Sequence, residues 1–128
     1  MAAYGNAALR AVELLQRRAC NRPEDAWRLA VGEVFAHSPS AQAKGCPRGT
    51  FLGLCSAGEI EGVPPGNYTR SAKNMSYGLR AVQLLRKSPS LANDEGTLWK
   101  NVISGESKVH NYQMEVVTSL WKSGLISR

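Results

Sequence analysis

The segment Leu9-Arg10-Ala11-Val12-Glu13-Leu14-Leu15 returns almost unchanged as Leu79-Arg80-Ala81-Val82-Gln83-Leu84-Leu85, and a Tyr-Gly pair precedes each copy, Tyr4-Gly5 and Tyr77-Gly78. Such a recurrence constrains the fold more than composition does, because whatever the first copy forms the second should form too. The order is kept further along. Ala26-Trp27-Arg28 is answered by Leu98-Trp99-Lys100, and Leu54-Cys55-Ser56-Ala57-Gly58-Glu59-Ile60 by Leu120-Trp121-Lys122-Ser123-Gly124-Leu125-Ile126. Three matches in one order predict an internal duplication, with halves at 1–60 and 72–128. Two copies make a duplicated domain, not a stacked array.

Each half reads as three helices. Ala8, Val12, Leu15 and Ala19 fall on one stripe of a first helix, with Arg10, Glu13 and Arg17 away from it. Asn21-Arg22-Pro23-Glu24-Asp25 opens a second helix with a cap-like residue, a proline fit for the first turn and two acids at the positive end. Trp27, Ala30, Val31, Val34 and Phe35 form its apolar stripe. A third helix is expected from near Pro47 to Gly58, burying Phe51, Leu54 and Cys55. The stretch 61–71, with Pro64-Pro65-Gly66, cannot continue a helix and is the linker. In the second half helices are expected near 72–87, 95–104 and 109–122, and no segment alternates with the period of a strand. The expectation is one compact all-α domain of about six helices.

A chain of 128 residues with 43% apolar and 20% charged residues can bury one core without staples and is not disordered in composition. Arg10 and Glu13 interrupt the apolar start, which lacks a secretory layout, and no run approaches the ~20 apolar residues of a membrane span. Cys20, Cys46 and Cys55 are odd in number and lack CxxC spacing, which fits reduced thiols. The chain reads as cytoplasmic, with no membrane association. Residues 34–93 carry Lys44, Arg48, Arg70, Lys73, Arg80, Arg86 and Lys87 against only Glu59 and Glu61, so this middle holds nearly all of the net charge of +6. Such a bias draws acidic or phosphate-rich partners, and it also serves solubility.

No catalytic signature assembles around the two histidines, His37 and His110, and no paired spacing offers a metal site. No cofactor is implied. Cys46 lies beside Lys44 and Arg48 at a helix start, a setting that activates a thiol, although a small residue buried at a helix start reads the same way. Lys44-Gly45-Cys46-Pro47-Arg48-Gly49 joins glycines, cations and a helix start as an anion site does, but it matches neither the Walker pattern nor GxGxxG, so nucleotide hydrolysis is not supported. Gly49 and Gly53 are expected to admit another helix at close range. Tyr68-Thr69-Arg70-Ser71-Ala72-Lys73 sets an aromatic among bases, either to stack on a nucleobase beside neutralised phosphates or to cover the core at a helix start. A helix-turn-helix is disfavoured, because residues 37–46 are too long a connection.

Gly45-Cys46-Pro47-Arg48, Phe51-Leu52-Gly53-Leu54-Cys55, Gly66-Asn67-Tyr68-Thr69, His110-Asn111 and Gln113-Met114, with Leu120-Trp121-Lys122 and Gly124-Leu125-Ile126, resemble a small bacterial family of uncharacterised function over nearly the whole chain. The resemblance implies a single bacterial domain and brings no activity with it. The residues favour a non-enzymatic binding module in which Lys44, Arg48, Tyr68, Arg70, Lys73 and Arg80 meet nucleic acid or another polyanion. Two alternatives stand beside it. One is a protein-interaction module or homodimer anchored by an exposed Phe51, Trp99 or Trp121; the other is an unfamiliar enzyme centred on Cys46.

Overall fold

Alanine crowds the first two helices, and that sets how closely they pack. In a computed structural model that describes residues 2–128, helix α1 spans Ala3–Gln16 and α2 spans Pro23–Val34. They pack against each other, and Ala7, Ala8 and Ala11 on one and Ala26 and Ala30 on the other are all buried. Small side chains at a helix contact let the axes approach. Helix α1 ends earlier than its stripe suggests. Arg18 turns left-handed at φ 60°, the backbone N–H groups of Ala19 and Cys20 both donate to the Leu14 carbonyl, and Cys20 is buried while Ala19 is exposed. The residue preceding α2 is Arg22 in extended conformation, so Asn21 is not its cap.

The stretch 37–46, expected as a plain connector, folds into a one-turn helix α3, Pro39–Gln42. The Ser38 hydroxyl accepts from the Ala41 N–H at 3.3 Å, and the Gln42 side chain donates to the Phe35 carbonyl at 2.7 Å. Helix α4 then runs Gly45–Ser56 and buries Phe51, Leu52, Leu54 and Cys55, as well as Gly49 and Gly53. Helix α5 spans Ala72–Lys87, a 3₁₀ turn covers Pro89–Asn93, α6 spans Glu95–Ile103 and α7 spans Gln113–Lys122. Asp94 caps α6, accepting from the Thr97 N–H at 3.1 Å. The expected start of α7 at 109 moves to 113. Tyr112 adopts a left-handed φ of 68°, and the His110 ring folds back so that Nε2 accepts from the Met114 N–H at 3.1 Å.

The chain is all-helical, with no strand among the described residues. Helix α4 packs on α5, α7 packs on α1, and α4 also meets α7. One core results, in which Trp27, Phe51, Leu85, Leu98, Met114, Leu120 and Trp121 are fully buried. Gly58 and Gly124 both take positive φ, 76° and 73°, to end α4 and α7. Just beyond them Ile60 and Ile126 pair with each other in an isolated antiparallel bridge, and the Glu61 N–H donates to the Leu125 carbonyl at 2.8 Å. Close helix approach falls where Gly53 was expected to allow it: a Cβ there would stand 2.6 Å from the Cα of Met75.

Candidate anion-binding face

Arg48, in the first turn of α4, is exposed beside the segment that climbs from the linker to α5. That segment is pinned by short backbone contacts. The Gly66 N–H donates to the Ser56 carbonyl at 3.1 Å, the Tyr68 N–H to the Ser56 hydroxyl at 3.0 Å, and the Tyr68 hydroxyl to the Pro64 carbonyl at 2.8 Å. Gly66 leaves room for the Tyr68 ring, since a Cβ there would stand 2.6 Å from it. The result is an open groove of about 450 Å³ lined by Glu24, Arg48, Asn67, Tyr68, Thr69 and Arg70. Of the residues expected to bind an anion, Arg48, Tyr68 and Arg70 are brought together. Tyr68 is also half-buried against the core, as its reading as a cover over the core at a helix start expects.

The other three are placed differently. Lys44 sits one turn before Arg48 but turns to the Tyr112 ring, 5.6 Å from its centroid, and to the Asn111 carboxamide. Lys73 is exposed in the first turn of α5. Arg80 donates to the Val102 carbonyl at 3.0 Å and lines a separate groove of about 370 Å³ with Lys87 and Ser104. Cys46 is half-buried and absent from the linings of both grooves at Arg48. Phe51, Trp99 and Trp121, offered as exposed anchors for a partner, are core residues at 0%, 6% and 2% exposure. Each faces inward because α4, α6 and α7 have their apolar stripes turned to the same core.

A second groove, of about 610 Å³, shares Glu24 and Arg48 with the first. Trp27, Arg28, Val31 and Pro39 line it. Burial pushes the Glu24 carboxyl upward, but the Arg22 hydrogen bond at 2.7 Å, a hydrogen bond from its own backbone N–H and the charges of Arg22 and Arg48 leave it below the usual carboxylate range. It is ionised at neutral pH. Burial pushes the Cys55 thiol up, with the Glu24 charge adding to this, so Cys55 is inert. Sequence reasoning passed over Glu24 and Trp27 as a helix cap and a core residue. It also missed a polar chain at the base of α5 and α7: Asn74 donates to Ser71, buried Gln113 donates to Asn74 at 3.3 Å, and the Asn111 N–H donates to Gln113 at 2.6 Å.

No group of three or more His, Cys, Asp or Glu among the described residues could hold a metal ion, and none of their helices is long and apolar enough to cross a membrane. A family model described as a family of unknown function, DUF6979, matches residues 1–127. The chain belongs to DUF6979. No curated protein and no solved structure matches it. Membership in DUF6979 accounts for the resemblance in the sequence and leaves function to be argued from the two grooves.

Proposed function

We propose that this chain is a non-enzymatic helical binding module whose Arg48–Tyr68–Arg70 face meets an anionic partner, with nucleic acid first among candidates. One observation carries the reading: neither arginine of this face is in an ion pair. Every ion pair among the described residues uses Arg10, Arg17, Arg22, Arg28 or Arg86. Glu24, the acid in the groove, is engaged by Arg22. Arg10, Arg17, Arg22 and Arg28 in the first part of the chain are thus paired with acids, while Arg48 and Arg70, which line one groove with Tyr68, remain available to phosphates.

The test is binding of short single- and double-stranded DNA and RNA across a salt series by the protein and by an Arg48→Ala, Arg70→Ala, Lys73→Ala variant. Counterion release predicts micromolar or tighter binding at low salt that weakens steeply as salt rises. The variant should retain the helical circular-dichroism spectrum and lose about two to three units of the log–log salt slope. Absence of binding at low salt would overturn the reading.

A further inference from the structure

Helices α1, α4 and α7 end in the same hydrogen-bonded turn. The backbone N–H of Gly58 donates to the Cys55 carbonyl and that of Glu59 to Leu54; Gly124 donates to Trp121 and Leu125 to Leu120; Arg18 donates to Leu15 and Ala19 to Leu14. This turn needs a left-handed residue, and glycine adopts that conformation without the clash a Cβ brings. Helices α4 and α7 use glycine, at φ 76° and 73°, whereas α1 uses Arg18 at φ 60°. A fold that keeps a side chain where glycine is easier points to a use for that side chain. Arg18 is exposed and takes part in none of the ion pairs among the described residues. It lines a pocket of about 260 Å³ with Cys20, Asn21, Pro64 and Tyr68, and no acid stands in that lining among the described residues. Tyr68 also lines the groove of Arg48 and Arg70, so the two depressions share one aromatic residue.

We infer that the anionic face extends past Tyr68 to Arg18 and takes a single-stranded nucleic acid, with one phosphate at Arg48 and Arg70, an unpaired base against Tyr68 and a further phosphate at Arg18. The inference rests on the anionic-face reading and narrows its partner to a single strand. Cation, aromatic, cation is the order in which a single strand presents phosphate, base and phosphate, and a duplex keeps its base faces stacked inside. The ring is set before any ligand arrives: its hydroxyl donates to the Pro64 carbonyl at 2.8 Å, and the Tyr68 N–H donates to the Ser56 hydroxyl at 3.0 Å. Such a platform binds without the loss of freedom that a mobile side chain suffers. The track has an end. Gly62, Val63 and Pro64 are shared between the Arg18 pocket and a further depression lined by Glu59 and Glu61, acids that oppose a polyanion there.

The experiment measures fluorescence anisotropy of a labelled single-stranded oligomer and of the same oligomer in a duplex, across a salt series, with the full chain and its variants. The single strand should bind about tenfold tighter than the duplex, the scale of one base stacked on an aromatic ring. Arg18→Gly suits the left-handed turn, so it should melt at the same or a higher temperature and yet lose about 0.7 of the log–log salt slope, one phosphate contact on a single strand. Arg18→Lys should keep that slope, because a phosphate is held there by charge. Tyr68→Leu should weaken single-strand binding about tenfold, and Tyr68→Phe should not. An unchanged slope in Arg18→Gly, with the slope lowered in the Arg48→Ala, Arg70→Ala, Lys73→Ala variant, overturns the extension to Arg18 and leaves the anionic face standing. A duplex bound as tightly as the single strand, or a Tyr68→Leu variant that binds like the parent, overturns the base on Tyr68. No binding of either oligomer at low salt overturns both the track and the face.

Discussion

Trp27 and Trp99 hold the same place in the two recurring segments, and both are buried, yet their indole N–H groups fare differently. Trp99 donates to the Lys108 carbonyl at 3.2 Å and packs edge-on against Tyr77 and tilted against His110. Trp27 has no partner for its N–H and lines an open groove. The shared residue fixes core packing in both halves; its surroundings decide whether hydrogen-bonding capacity is used up or left over. The helix crossings differ in a parallel way. Counted from the shared Leu-Arg-Ala-Val segment, Gly5 stands where the second copy has Met75; counted from the later match of Leu54 with Leu120, Ser119 stands where the first copy has Gly53. A Cβ on Gly5 would meet the Ser119 hydroxyl at 2.0 Å, and one on Gly53 the Cα of Met75 at 2.6 Å. Both crossings need one partner without a side chain, but the glycine comes from α1 in one and from α4 in the other.

The largest break in this comparison is Gly53→Ala. It sets a methyl against backbone, so it should destabilise by about 3 kcal/mol in urea unfolding, the upper end of overpacking costs. Gly5→Ala should be rescued by Ser119→Gly, whereas no truncation of the Met75 side chain should rescue Gly53→Ala, because the obstacle there includes the main chain. Next, Trp99→Phe should cost about 1–2 kcal/mol more than Trp27→Phe: the first breaks a hydrogen bond, while the second removes an N–H that has none. Equal losses would erase the distinction between the tryptophans.

The smallest effect follows pH. Burial holds His110 below its usual pKa, with Glu115 opposing, and its unprotonated Nε2 caps α7. Because the folded pKa is the lower one, the unfolded chain takes up the proton first. Stability is therefore complete above about pH 6.5 and falls as pH drops toward the folded value. A loss of about 1 kcal/mol, the worth of one cap, is expected between pH 7.5 and 5, and it should vanish in His110→Asn. Helix α4 has no side-chain cap and should contribute no such slope.

The all-helical class, the inward stripes and the Gly58 and Gly124 stops were legible because each rests on local chemistry: periodicity, a proline in a first turn, a left-handed glycine. The end of α1 at Gln16 and the start of α7 at Gln113 were not, because Arg18 and Tyr112 adopt left-handed backbone that their residue types do not announce. The charge map picked out Arg48 and Arg70, and the structure brings Tyr68 into the same groove lining. It also grouped Arg80 with them, which the helix carries to another groove. Glu24 and Trp27 escaped notice because capping and apolar periodicity explain both residues, and an unmet hydrogen bond is visible only in three dimensions.

The packing of α7 across α1 has a consequence for how the protein is made. Helix α1 meets α2 early in synthesis, but the side that receives Ser119, where the Gly5 N–H donates to the Glu115 carboxylate, has no cover until α7 leaves the ribosome. Contacts this far apart in sequence form late. A nascent chain stalled before Gln113 would hold two finished helix pairs and an uncovered seam, the stage at which chaperone capture or premature self-association competes with folding.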